Sequence, residues 1–160
     1  MSGGTEIERK FLVAELPDLA GARAVPIRQG YLTDKADSVE IRLRQKGETY
    51  LTTMKKGAGL ERMECEAEIS QAHFDLFWPA TEGRRVEKTR WIGQLAGGVT
   101  FELDVFEGTL APLVLVEVEF ATVEAASGFQ PPAWFGRDVT EDARYSNASL
   151  AAAGAPTPDA

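Results

Sequence analysis

The chain has 160 residues, of which 44% are hydrophobic and 26% charged, and its formal net charge is −8. That length suits one domain with a sizeable core, and the acidic balance excludes a nucleic-acid binder that works through a broad basic surface. No apolar run approaches the roughly 20 residues of a membrane span, no signal peptide is visible, and the single cysteine, Cys65, excludes an internal disulfide, so the cytoplasm is the expected location.

Residues 6–13 read as a strand. Glu6, Glu8 and Lys10 share one face; Ile7, Arg9 and Phe11 take the other. Two close carboxylates repel unless a cation lies between them, which is what a hard ion such as Mg2+ or Mn2+ supplies. Taken alone, the strand is better explained as a solvated charged face. Leu16-Pro17-Asp18 interrupts the pattern, with a short helical turn at 19–22. A second strand is expected over 25–32 and a third over 39–45, where Val39, Ile41 and Leu43 alternate with Glu40, Arg42 and Arg44. Lys46-Gly47-Glu48 is a hairpin signal into a fourth strand over 49–56, with Thr53 and Lys55 on one face.

Residues 61–69 alternate most cleanly, setting Arg62, Glu64, Glu66 and Glu68 against Met63, Cys65, Ala67 and Ile69. Cys65 therefore reads as a small core residue. Ser70 caps a helix over 71–78 that Pro79 ends. His73, with no second His or Cys nearby, reads as a packing or surface residue. A sixth strand over 84–92 places Lys88 and Arg90 on a common face. A seventh over 99–106 opposes Glu102 and Asp104 to Phe101, Leu103 and Val105. An eighth over 113–120 opposes Glu117 and Glu119 to Val116, Val118 and Phe120. A short helix at 122–127 and a last packing helix over 141–152, capped by Thr140 with Glu141 and Asp142 at its start, complete the elements. One domain over 1–152 and a disordered tail over 153–160 are expected.

Eight strands in consecutive hairpins predict an antiparallel sheet able to close into a barrel. Its polar face collects Glu6, Glu8, Glu64, Glu66, Glu102, Asp104, Glu117 and Glu119, together with Lys10, Arg42, Arg44, Lys55, Arg62, Lys88 and Arg90. On an open layer this is a solvated surface; in a closed sheet it lines a wet tunnel. Few neutral polar residues dilute the face. Paired bases at spacing two also suit gripping a chain of phosphates by charge-assisted, bidentate bonds. Both observations favour closure. Glu102 and Glu68, near strand ends, read as solvated.

As an ordered set, these residues resemble the CYTH superfamily, the triphosphate tunnel metalloenzymes. The resemblance begins at Glu6-x-Glu8-x-Lys10. It continues through Gln29-Gly30-Tyr31-Leu32, Arg42-x-Arg44, Thr53-Met54-Lys55, Glu64-Cys65-Glu66 and Glu87-Lys88-Thr89-Arg90-Trp91. It ends with Glu102-Leu103-Asp104, Glu117-Val118-Glu119 and Arg144-Tyr145-Ser146-Asn147. The short bacterial members are the most similar. The resemblance implies an α+β, mainly β fold: an eight-stranded closed antiparallel β-barrel, or tunnel, with a few short helices outside and a C-terminal helix.

It further implies that Glu6, Glu8, Glu117 and Glu119 hold Mg2+ or Mn2+, with Asp104 at the metal or its water shell. Glu64 and Glu66 would serve the metal, a water or neighbouring bases. Arg42, Arg44, Lys55, Lys88 and Arg90 match bases that grip a triphosphate, and Arg62 faces the same way. Lys10 and Tyr31 resemble a pair near the reactive end that positions or activates water, or stabilises the leaving group. The implied activity is metal-dependent hydrolysis of inorganic triphosphate (tripolyphosphate) to pyrophosphate and phosphate. The implied partner is a small-molecule substrate, inorganic or nucleoside triphosphate, without nucleic acid or membrane, and homodimerisation stays open. The alternatives are a class IV-type adenylate cyclase or a nucleoside or thiamine triphosphatase, for which no aromatic cluster is evident, and a non-catalytic polyphosphate-binding module.

Overall fold

The computed structural model describes residues 7–57 and 63–157. The two-residue alternation produces nine strands: β1 (Ile7–Val13), β2 (Arg23–Tyr31), β3 (Val39–Lys46), β4 (Thr49–Lys56), β5 (Met63–Ile69), β6 (Arg85–Gln94), β7 (Thr100–Phe106), β8 (Val114–Phe120) and β9 (Phe135–Asp138). Three short helices accompany them: α1 (Gln71–Phe77), α2 (Val123–Gly128) and α3 (Asn147–Ala153). None of these is long and apolar enough to cross a membrane.

All nine strands join one antiparallel sheet in the order β5-β4-β3-β2-β6-β7-β8-β1-β9. The fold is mainly β with few helices, as expected, but the expected eight-stranded closed barrel does not form. The sheet is open, with β5 at one edge and β9 at the other. The reason is local. β1 pairs with β8 on one side and with β9 on the other, through Phe11↔Asp138 and Val13↔Phe135. Over Phe11 to Val13 the edge that a closing strand needs is already occupied. The amide of Val139 donates to the Lys10 carbonyl at 2.8 Å and that of Ala14 to the Trp134 carbonyl at 2.9 Å, which extends the seam.

The two faces of the sheet bury different things. On one face, Phe11, Phe101, Leu103, Val116 and Val118 form a core with Phe135, against which Phe129 and Trp134 pack. Arg9 belongs to this face and ties its cover down. Its guanidinium donates to the Ala126 carbonyl at 2.9 Å, pairs with Asp138 at 3.0 Å and lies over the Phe11 ring. On the opposite face Tyr31, Val86, Phe106 and Leu115 pack at one end with Leu110, Val139, Tyr145, Leu150 and Ala151. α3 sits on this apolar end, and the charged residues share the remainder with Val25 and Ile27.

Three local expectations are corrected. The last helix does not start at Thr140: a 3-10 turn at Ala143–Tyr145 precedes α3, which Ser146 caps by accepting from the Ser149 amide at 3.1 Å. Thr140 is engaged elsewhere, its hydroxyl oxygen accepting from the Lys10 amide at 3.0 Å, so it serves the β1–β9 seam. Cys65 is exposed rather than buried, because β5 is an edge strand whose apolar side carries no cover.

α1 and the turn after it fasten β2 to β6 from outside. Arg28 of β2 lies over the rings of Phe74 and Trp78, and Arg85 of β6 lies 4.6 Å from the Trp78 ring centre. Thr81 is fully buried and rests on Gly30, where a Cβ would stand 2.6 Å from both Cβ and Oγ1 of Thr81. The Thr81 Cβ cannot yield without moving backbone. Gly30→Ala is therefore expected to lower unfolding stability by about 1–3 kcal/mol, read as a lower denaturant midpoint at an unchanged m-value.

Candidate active site

Residues directly opposite one another in a sheet share a face and hold their Cβ atoms within about 5 Å. Register therefore assembles an acidic group at β1, β8 and β7: Glu8 faces Glu119, Lys10 faces Glu117, and Glu117 faces Glu102. Glu8, Glu102, Glu117 and Glu119 line a cavity of about 440 Å³. Burial, then the charge of Glu117, raises the Glu8 carboxyl from 4.5 to about 7, with Lys10 acting in the opposite direction. Glu8 therefore carries its charge reluctantly beside Glu117. Lys10 is held from two sides: its Nζ lies 3.4 Å from Glu117 and donates to the Tyr145 carbonyl at 3.1 Å.

A hard divalent cation fits this donor set, since it would offset the repulsion between the carboxylates. Glu8 and Glu117 form the core of such a site, with Glu119 alongside. Among the described residues no three acids already converge on one point. Glu6 and Arg62 lie outside the described residues.

The next strands carry cations around one buried carboxylate. Asp104 is 4% exposed and accepts from Arg90 through both oxygens, at 2.9 and 3.0 Å, while Lys88 lies 2.8 Å away. Burial opposes its charge, but Lys88 and Arg90 outweigh it and hold the carboxyl below its usual range. Both oxygens of this residue, expected beside the metal, are thus engaged by bases. Lys88 is itself 4% exposed, lies over the Phe106 ring and donates to Asn147 of α3 at 3.4 Å. Burial lowers its pKa against the pull of Asp104. Burial disfavours the Arg90 cation as well, yet the hydrogen bonds of Asp104 carry its pKa above the ordinary arginine value.

β3 presents Arg42 opposite Tyr31 and Arg44 opposite Gln29. The Nε atoms of both arginines are buried and have no hydrogen-bond partner among the described residues. Burial, then the nearby Arg90 and Arg42, hold Arg44 below the usual arginine pKa. Buried donors of one charge, left unpaired, are costly unless an anion completes them. On β4, Lys55 faces Glu40 and Glu64, and the Thr53 hydroxyl donates to Glu66 at 3.0 Å. Glu64 and Glu66 are exposed on β5, at the far edge of the strand order from β8 and β1.

Tyr31 is buried. Its hydroxyl accepts from Gln29 Nε2 at 2.9 Å, and among the described residues no hydrogen bond joins it to Lys10. Register also brings in residues that alternation alone undervalued. Glu102 lies inside β7, lines the acidic cavity and pairs with Arg90 at 2.6 Å. Gln29 shares a strand face with Tyr31 and stands in the Gln29-Gly30-Tyr31-Leu32 segment of the resemblance, which gave it no role. The Tyr145 carbonyl, a backbone acceptor, has no sequence signal at all.

The CYTH domain model matches residues 4–154 of the chain. An inorganic triphosphatase of Nitrosomonas europaea is 60% identical over 147 residues, covering 92% of this chain and 97% of that protein. An inorganic triphosphatase of Acetivibrio thermocellus is 38% identical over 150 residues, covering 92% and 93%. The crystal structure of an inorganic triphosphatase superposes with a TM-score of 0.85 at 56% identity, covering 96% of this chain and 98% of that one.

Glu8 provides a test of the acidic group. A carboxyl whose pKa rises on folding stabilises the protein below its unfolded value and loses that contribution as pH climbs through its folded value. In EDTA, wild-type protein is expected to lose thermal stability between about pH 4.5 and 7 from this source. Glu8→Gln is expected to show a flatter profile over that interval, and Mg2+ or Mn2+ is expected to raise the melting temperature of wild type more than that of the variant.

Proposed function

The chain belongs to the CYTH domain family, and from that we propose that it is a metal-dependent triphosphatase that hydrolyses inorganic triphosphate to pyrophosphate and phosphate. The observation that carries the reading is the pair of buried, unpartnered Nε atoms of Arg42 and Arg44, in a cluster with Arg90. A phosphate chain offers the several anionic oxygens that such a cluster lacks.

Phosphoryl transfer needs positioning and charge neutralisation more than covalent help. Arg42 and Arg44 bind the phosphate chain, and Arg90, held rigid by Asp104, sets the potential behind them. Glu8, Glu117 and Glu119 would hold the Mg2+ or Mn2+, and Glu6 would be a further ligand. The ion, when bound, screens phosphoryl oxygens and lowers the pKa of a coordinated water. Lys10, fixed between Glu117 and the Tyr145 carbonyl, delivers a cation beside the acids, where it orients the water or the leaving oxygen. Lys88 contributes through Asp104 and Asn147, being too buried to be a freely reaching grip. Glu64, Glu66 and Lys55 line the approach from the open edge.

Purified protein is expected to release phosphate from tripolyphosphate with Mg2+ or Mn2+ and to stop in EDTA, with slower release from ATP and thiamine triphosphate. Arg44→Ala is expected to lower kcat/KM by about 10²–10³, the cost of one preorganised donor to a reacting oxyanion. Failure of the wild-type protein to release phosphate from tripolyphosphate under either metal removes the proposal.

A further inference from the structure

Gln29 is a buried polar side chain on the charged face to which the mechanism assigns no task. It is 3% exposed, lies opposite Arg44 on one side and Val86 on the other, and shares its face with Tyr31. Its Nε2 donates to the Tyr31 hydroxyl oxygen at 2.9 Å. Arg42 lies opposite Tyr31 on the same face. A phenol oxygen that accepts from the amide keeps its own proton to donate. The Gln29 amide turns its nitrogen, not its oxygen, to the phenol, and a guanidinium has no acceptor. Beside the phenol, the Nε atoms of Arg42 and Arg44 are also donors in search of acceptors. Gln29 Nε2 is satisfied by the phenol, so what remains is a fan of donors fed through Tyr31 and the two arginines.

We propose that Gln29 is a positioning residue that fixes the Tyr31 hydroxyl as a hydrogen-bond donor to a phosphoryl oxygen of the substrate. The inference rests on the triphosphatase reading and goes beyond it. It makes Tyr31 a member of the phosphate-binding wall with Arg42 and Arg44, rather than a partner of Lys10 in handling water. Burial raises the phenol pKa, and Gln29 and Arg42 offset only part of that rise, so the hydroxyl keeps its proton near neutral pH. The backbone gives the arrangement its rigidity. Gly30, between Gln29 and Tyr31, is pressed against Thr81 on the other face, so β2 cannot slide to release either side chain.

The test is a double-mutant cycle of Gln29→Met and Tyr31→Phe on tripolyphosphate hydrolysis. Each single variant is expected to lower kcat roughly tenfold, about the worth of one directed hydrogen bond in the transition state. The double variant is expected to be no slower than Tyr31→Phe alone, because Gln29 acts only through the phenol. Losses that multiply to roughly a hundredfold, or a wild-type kcat in Gln29→Met, overturn the proposal. Gln29→Glu keeps the size and reverses the hydrogen bond, capturing the phenol proton. It is expected to be at least as slow as Gln29→Met, it stands in for that variant should Gln29→Met lose its cooperative melting, and a wild-type rate in it also overturns the proposal. A wild-type protein inactive on tripolyphosphate defeats the triphosphatase reading alone. Gln29 is then judged by the rise in melting temperature that tripolyphosphate induces. That rise is expected to shrink equally in Gln29→Met, Tyr31→Phe and the double variant, and an undiminished rise in Gln29→Met overturns the proposal.

Discussion

Asp104, clasped by Arg90 and Lys88, is the interaction on which the charged face depends. Three ionised groups are almost wholly removed from water there. Loss of one partner in such an arrangement leaves an uncompensated buried charge, at a cost of about 3–5 kcal/mol. The carboxylate therefore fixes β6 against β7 in a single register. With Glu102, which also pairs with Arg90, it balances both cations. Among the described residues the buried Nε atoms of Arg42 and Arg44 have no hydrogen-bond partner. On the proposed function, these open bonds are the ones that a phosphate chain would close.

The two ends of the site are opposite in character, and sheet order is what separates them. Acids gather where β1, β8 and β7 adjoin, and guanidinium groups gather where β6 and β3 flank β2. Lys10 is the cation placed among the acids, and Asp104 is the acid placed among the cations. Each restrains its neighbours from repelling one another. The C-terminal segment serves both ends, with the Tyr145 carbonyl holding Lys10 and Asn147 meeting Lys88. α3 is consequently coupled to the chemistry of both lysines as well as packed on Tyr31, Val86 and Phe106.

Much of this was legible because one period dominates the sequence. Alternation located eight of the strands, sorted Glu8, Lys10, Arg42, Arg44, Lys88, Arg90, Asp104 and Glu117 onto one face, and gave Ser70 as a helix cap. What escaped was set by tertiary competition. β9 is four residues long, lies just past Pro131-Pro132 and contains Gly136, so it has too few alternations to stand out. Because it takes the free edge of β1, its omission also produced the wrong expectation of closure. Thr140 satisfies local capping rules at the expected helix start, but the β1 backbone claims its hydroxyl instead. Cys65 alternates like a core residue on a strand whose outer side nothing covers. Asp104 matched an acidic position by pattern, while only coordinates reveal that bases consume both its oxygens.

An uncovered β5 has a mechanical consequence. It is bonded to β4 alone, both its sides meet solvent, and one row of its amides and carbonyls has no ladder partner. Such rims fray before enclosed ribs such as β6. Glu64 and Glu66 ride on this loosest rib, so the sheet is stiff at the clasp of Asp104 and compliant at their edge.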